Sequence, residues 1–247
     1  MKLRLAIGLI CLASLAAQAA DLAEGRNRSL GCQACHGSDG AGTAPDIPNL
    51  AGQKPGYLQA QLVAFRSKHR KHELMNAIAE QLSDGDIENL AAFWSSLSAG
   101  AALAGTDAAG ATPVAQMRKS RMTFPAAFPE GFVMYHEELD AQKKPVKRSY
   151  ASRAAVNAAR AGEELPAGSA IVVENLANNQ AVSYAAMESR AGWGDSLPEL
   201  LRNGDWTYAL FDGSRTLNAD FNYAHCLACH KPMAESSYVF GLEAIRK

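Results

Sequence analysis

The chain has 247 residues and a net charge of -1, with 24 Lys and Arg against 25 Asp and Glu. That balance excludes the basic field that nucleic-acid binding requires, and no apolar run beyond the first twenty residues is long enough to cross a bilayer. Five cysteines in a chain of this size raise the question of disulfides, metal or covalent cofactor, which their positions answer.

From Met1 to Ala20 the chain carries Lys2 and Arg4, an apolar run from Leu5 to Ala17, and the small-residue site Ala17, Gln18, Ala19 before Asp21. This is the layout of a secretory signal peptide, so residues 1–20 are expected to be removed and the protein exported to the periplasm. Cys11 leaves with it, and Ile10 is too bulky for a lipidation box. The mature chain, about 225 residues long, has the length of two modest domains and no membrane span.

Residues 21–98 read as helical. "ADLAEGRNRSLGCQACHG" gives a helix leading into a CxxCH box, "YLQAQLVAFRS" a second helix, and "SDGDIENLAAFWSSL" a third. The third has Ser83 as N-cap, Asp86 three residues on, and Ile87, Leu90, Ala91, Trp94 and Leu97 on one face. The text "SAGAALAGTDAAGATP" is small and uncharged apart from Asp107, so residues 99–114 read as a linker.

Residues 115–247 change character. "FVMYHEEL", "SAIVVENL", "AVSYAAME" and "DWTYALF" are strand-like runs, and "SRAAVNAARAG" is a helix with Ser152 as candidate N-cap and Gly162 as stop. A further short helix is predicted at "SLPELLRNG", and the second box, "CLACH", comes last. The pattern predicts an α+β domain with a mostly antiparallel sheet.

All four remaining cysteines, Cys32, Cys35, Cys226 and Cys229, lie in CxxCH boxes, with His36 and His230 as the closing histidines. A redox dithiol or a shared zinc site would use the cysteines alone. The adjacent histidine favours covalent haem: two cysteines three apart share a helix face and can form thioethers to one porphyrin edge, with the histidine under the iron. Two covalently bound c-type haems, each with its iron, are therefore expected. A buried haem also supplies apolar surface that a domain of about eighty residues lacks.

The first domain resembles the class I cytochromes c of the c-4 and c-553 type, on "GCQACHGSDGAGTAPDIPNLAGQ", "GYLQAQLVAFR" and "ELMNAIAEQLSDGDIENLAAFW". The resemblance implies that the Pro45 carbonyl orients His36 and that Met75 is the sixth iron ligand. His/Met ligation saturates the iron and raises its potential, so this haem is expected to carry electrons. The neighbouring stretch "RSKHRKHE" is a solvated loop or a positive collar steering an acidic redox partner; His69 and His72 belong to that surface.

The second domain is similar to the cytochrome P-460 and cytochrome c-prime-beta family, on "GEELPAGSAIVVENL", "GWGDSLPELLRNGDWTYALFD" and "CLACHKPMAESSYVF". The resemblance implies a sheet over the distal haem face, His230 as proximal ligand and an open sixth position, in a family that oxidises hydroxylamine or binds nitric oxide. Met134, Met187, Met233 and His136 are the other donors in reach of consideration. On a strand, Phe132, Met134 and His136 share a face; His136 and Glu174 are the candidate catalytic groups, Glu174 for proton transfer.

The lysine that cross-links the porphyrin in the hydroxylamine-oxidising branch falls here on Ala159 or Arg160, and arginine is a poor nucleophile. Lys143, Lys144 and Lys147 remain as other amines. The expectation is a periplasmic dihaem cytochrome whose first haem moves electrons and whose five-coordinate second haem binds or converts a small nitrogen oxide. A hydroxylamine or nitric oxide oxidoreductase and a plain electron carrier with two six-coordinate irons are the competing readings.

Overall fold

The computed structural model describes residues 19–98 and 119–247. The predicted linker 99–114 and nearly all of the predicted signal segment lie outside the described residues.

The first domain is built from four helices: α1 (Leu22–His36), α2 (Pro55–Arg66), α3 (Glu73–Ala79) and α4 (Asp84–Ser96). The Asp21 carboxylate accepts the N–H groups of Ala23 and Glu24 to start α1, which runs through the box and stops at Gly37 with φ +78°. The box is thus the end of the helix, not a loop beyond it. α4 starts with the predicted capping box between Ser83 and Asp86 and buries Ile87, Leu90, Ala91 and Trp94. α1 and α4 pack so closely that a Cβ on Gly25 would lie 2.2 Å from the Asn89 carbonyl oxygen.

The second domain is a five-stranded antiparallel meander in the order β1 (Phe132–Leu139), β2 (Pro145–Ser152), β3 (Ala170–Ala177), β4 (Gln180–Ser189), β5 (Trp206–Asp212). Helix α5 (Arg153–Ala161) links β2 to β3, and α6 (Ala224–His230) and α7 (Leu242–Arg246) follow β5. α5 ends at Gly162 with φ +72°, but Ser152 does not cap it. The Ser152 hydroxyl instead accepts the Ala170 N–H at 3.1 Å, tying β3 to the helix start. The helix expected at "SLPELLRNG" shrinks to a 3-10 turn, Glu199–Leu201.

The two faces of the sheet have different neighbours. Ala151, Ile171, Met187 and Tyr208 face α5 and α6, in a core that continues without a break into Leu90 and Trp94 of the first domain. Val172, Tyr184, Ala186, Ala209 and Phe211 face the other way, under Met122 and Phe128. The fold is therefore an all-α domain followed by an α+β domain, with the second box helix between them.

Candidate functional site

The first box ends α1, with Cys32 and Cys35 half-buried and His36 buried. His36 Nδ1 lies 2.9 Å from the carbonyl oxygen of Pro48. A carbonyl only accepts, so Nδ1 carries the proton and Nε2 presents a bare lone pair, the state a metal ligand needs. The orienting carbonyl is thus that of Pro48 and not of Pro45, which is exposed three residues earlier. Both prolines lie in the loop after the box, and the backbone path, not the residue type, decides which carbonyl reaches the ring. Burial pulls the His36 pKa below its ordinary value and pushes the Cys32 thiol up to about 12.

A cavity of about 290 Å³ opens in front of this box, and His36, Met75, Leu58, Phe65 and Trp94 are among the residues lining it. Met75 sits within α3. His72 caps that helix, its Nδ1 accepting the Met75 N–H at 3.3 Å. Asn76, unremarked in the sequence, donates to the carbonyls of Phe65 and Arg70 at 2.6 and 2.8 Å and so pins the loop before Met75. A mostly apolar cavity with two cysteines at its edge and a neutral histidine and a thioether on its walls fits a c-type haem.

The second box is α6. His230 Nδ1 lies 2.7 Å from the Tyr238 carbonyl oxygen, which fixes the same tautomer by the same device. Its ring packs 4.5 Å from Tyr208 and 4.8 Å from Phe240, centroid to centroid. Asn203, fully buried, donates to the Tyr208 hydroxyl at 3.1 Å and to the Leu227 carbonyl at 2.9 Å, joining α6 to β5. Burial lowers the His230 pKa and pushes Cys226 up to about 12. A neutral, oriented histidine with two cysteines on one helix beside an aromatic sheet face again fits c-type haem.

The candidate catalytic residues do not join this site. Glu174 shares with Val172 the face of the sheet turned away from the box, where it accepts from the Tyr150 hydroxyl at 3.2 Å and lies 3.8 Å from Arg148. A register shift between Met134 and His136 breaks the alternation of β1. Phe132 is buried in the second core, Met134 on the same face is exposed, and beyond the shift the exposed His136 pairs with Ser149. Tyr135, at that shift, packs with Val133 against the box-side core and bonds Ser149, and burial raises its pKa.

Met187 fills the core opposite Tyr208, and Met233 lies in the 3-10 stretch Lys231–Ser236 directly after the box. Ala159 is buried and Arg160 exposed, and Lys147 pairs with Glu138 at 3.0 Å.

The two boxes meet across the domain boundary. Leu201, Ala224, His225 and Ala228 line the first cavity. Asn222 donates to the Ala34 carbonyl at 2.8 Å and approaches the Cys35 sulfur at 3.8 Å. Cys229 Sγ lies 3.9 Å from Glu73 Oε1, and Arg28 lies 3.5 Å from Glu199. Among the described residues no three His, Cys, Asp or Glu converge to hold a bare metal ion.

Comparison with known proteins gives both halves a family. The cytochrome c model matches residues 22–98 and the cytochrome P460 model residues 125–241. Cytochrome c-554(548) of Halomonas halodenitrificans is 46% identical over 81 residues, 32% of this chain and 98% of that protein. Cytochrome c4 of Pseudomonas aeruginosa is 39% identical over 85 residues, 34% of this chain and 42% of that protein. The thiosulfate dehydrogenase electron acceptor of Stutzerimonas stutzeri is 41% identical over 69 residues, 27% of this chain and 32% of its own. The chain thus spans less than half the length of the last two. It belongs to the cytochrome c family through residues 22–98, carries a cytochrome P460 domain over residues 125–241, and is a c-type cytochrome with two covalently bound haems.

Proposed function

We propose that the first haem is held by Cys32 and Cys35 with His36 and Met75 as axial ligands, and the second by Cys226 and Cys229 with His230 as its one protein ligand. Bound there, each haem supplies an iron that cycles between ferrous and ferric, and an iron with an open position also coordinates a small molecule. The first domain then carries electrons, and the second binds or converts a small nitrogen oxide such as nitric oxide or hydroxylamine.

The observation that carries this reading is the asymmetry of the two sites. The first cavity has His36 and Met75 on its walls, whereas of the donors considered for the second site Met187 is committed to the core, Met134 and His136 to the surface, and Met233 to the 3-10 stretch directly after the box. Pro48 and Tyr238 fix the tautomer and aim of the two histidines and burial keeps the rings neutral, so neither needs to lose a proton to bind iron.

The exported, periplasmic setting rests on the signal-like start of the sequence, and no helix of the described residues is long and apolar enough to cross a membrane. A redox partner is supported by the Stutzerimonas stutzeri relative, whose name is that of an electron acceptor. The basic loop Arg66 to His72 favours an acidic one, although Arg66 and Lys68 are already paired with Asp84 and Glu80 at 2.5 and 3.4 Å.

Adding nitric oxide to the reduced protein tests the reading: the second haem's spectrum should change while the first stays as it was. Two haems that both ignore nitric oxide would leave a plain electron carrier with two six-coordinate irons. Turnover of hydroxylamine with an added electron acceptor would make the protein an oxidoreductase.

A further inference from the structure

Asn222 belongs to the second domain, two residues before α6, yet its side chain is bonded to the first box. Its orientation is fixed from both ends. Oδ1 accepts the Ala224 N–H at 3.2 Å, so the amide nitrogen is the end that faces Ala34 and Cys35. Its two N–H groups have two acceptors there: the Ala34 carbonyl at 2.8 Å and the Cys35 sulfur at 3.8 Å. Once Cys35 is joined to a porphyrin its sulfur is a thioether, which has no proton and only accepts. An amide donor is the group that suits it.

We propose that Asn222 is a positioning residue through which the second domain sets the reduction potential of the first haem. The inference rests on haem attachment at Cys32 and Cys35. The positive end of the amide dipole points at the Cys35 sulfur, the atom that would join the porphyrin, and a reduced haem carries one more electron than an oxidised one, so Asn222 stabilises the reduced state. No covalent bond forms or breaks and no proton moves. The segment that leads into the second box thus acts on the electron affinity of the first.

Two variants and one control test this by spectroelectrochemical titration of the full dihaem protein. Asn222→Ala removes the donor and should lower the first haem's potential, moving the electron about fivefold toward the second haem, the size of one net hydrogen bond. Asn222→Asp keeps the acceptor for the Ala224 N–H but puts a carboxylate against Cys35, and should lower the potential further. Glu199→Gln breaks the Arg28–Glu199 contact between the domains without touching Cys35, and should leave the potential unchanged.

An Asn222→Asp protein whose first haem titrates at or above the native potential would overturn the proposal. So would a Glu199→Gln protein with the same shift as Asn222→Ala, because the cause would then be domain docking. If Asn222→Ala does not load haem, the isosteric Asn222→Asp decides alone. Intact mass checks attachment, and nitric oxide added to the same samples reads the second iron, so failure of the nitrogen-oxide reading stays separate from failure of this one.

Discussion

His230 points its Nδ1 proton at the Tyr238 carbonyl across 2.7 Å, and the bond has its counterpart in the other domain between His36 and Pro48 at 2.9 Å. Two unrelated folds therefore prepare their box histidines in the same way, with a backbone carbonyl from a loop downstream.

That arrangement predicts a pH dependence for the haem-free protein. Burial is the leading cause that lowers both histidines, against smaller upward contributions from the two carbonyl bonds. The unfolded chain then binds protons that the folded chain refuses, so stability rises with pH in the window from the lowered folded values up to the ordinary value near 6.5. The apoprotein's folding free energy should fall as pH drops from 7 toward 5, by at most about 1.4 kcal/mol per pH unit for each histidine, and its thermal midpoint with it. A midpoint that is flat across that range would show that the rings are not held neutral.

Replacement of Met75 by alanine should remove the sulfur-to-iron charge-transfer band and lower the first haem's potential, because the thioether favours the reduced iron. Met75 stands on the cavity wall and its helix is held by His72 and Asn76, so the helix should survive the truncation. Absorption spectra that match the native protein would move the sixth ligand elsewhere.

The paired substitution Cys226→Ala with Cys229→Ala should leave a protein carrying one haem. Intact mass spectrometry reads this directly, and the retained haem should keep the spectrum of the first site. Loss of both haems would mean that loading of the first site depends on loading of the second.

Asn203 joins the second box to the sheet through two buried bonds. Asn203→Ala should destabilise the second domain by about 2–3 kcal/mol, the sum of those bonds and of the acceptors left unpaired, seen as a lower thermal midpoint. A change within about 0.5 kcal/mol would show that Leu227 and Tyr208 find other partners.

Much of the fold is written in residue patterns. The Ser83 and Asp86 pair starts α4 where its spacing places it, and β1, β3, β4 and β5 follow their apolar and β-branched runs. β2 is hidden because its inward positions are the small residues Ser149 and Ala151 and its others include Lys147 and Arg148, so no apolar alternation marks it. α3 is a seven-residue helix, too short to show a period of 3.6. Pro198 and Gly204 bracket "SLPELLRNG" so tightly that only a 3-10 turn fits.

At the sites, the boxes are legible because covalent attachment demands particular residue types. The carbonyls of Pro48 and Tyr238 are not, since every residue has one. The surroundings of Glu174 and His136 are illegible for a different reason: which face of a sheet meets the box is decided by packing, and the register shift in β1 is invisible to alternation.

The place of α6 bears on whether the two halves can be taken apart. Leu201, Ala224 and Ala228 close one side of the first cavity, so cutting the chain between the domains would admit water to the haem edge. Water there raises the local dielectric and favours the more highly charged ferric state. The excised first half should be a weaker oxidant than the same residues in the intact chain, and the two halves are not interchangeable modules.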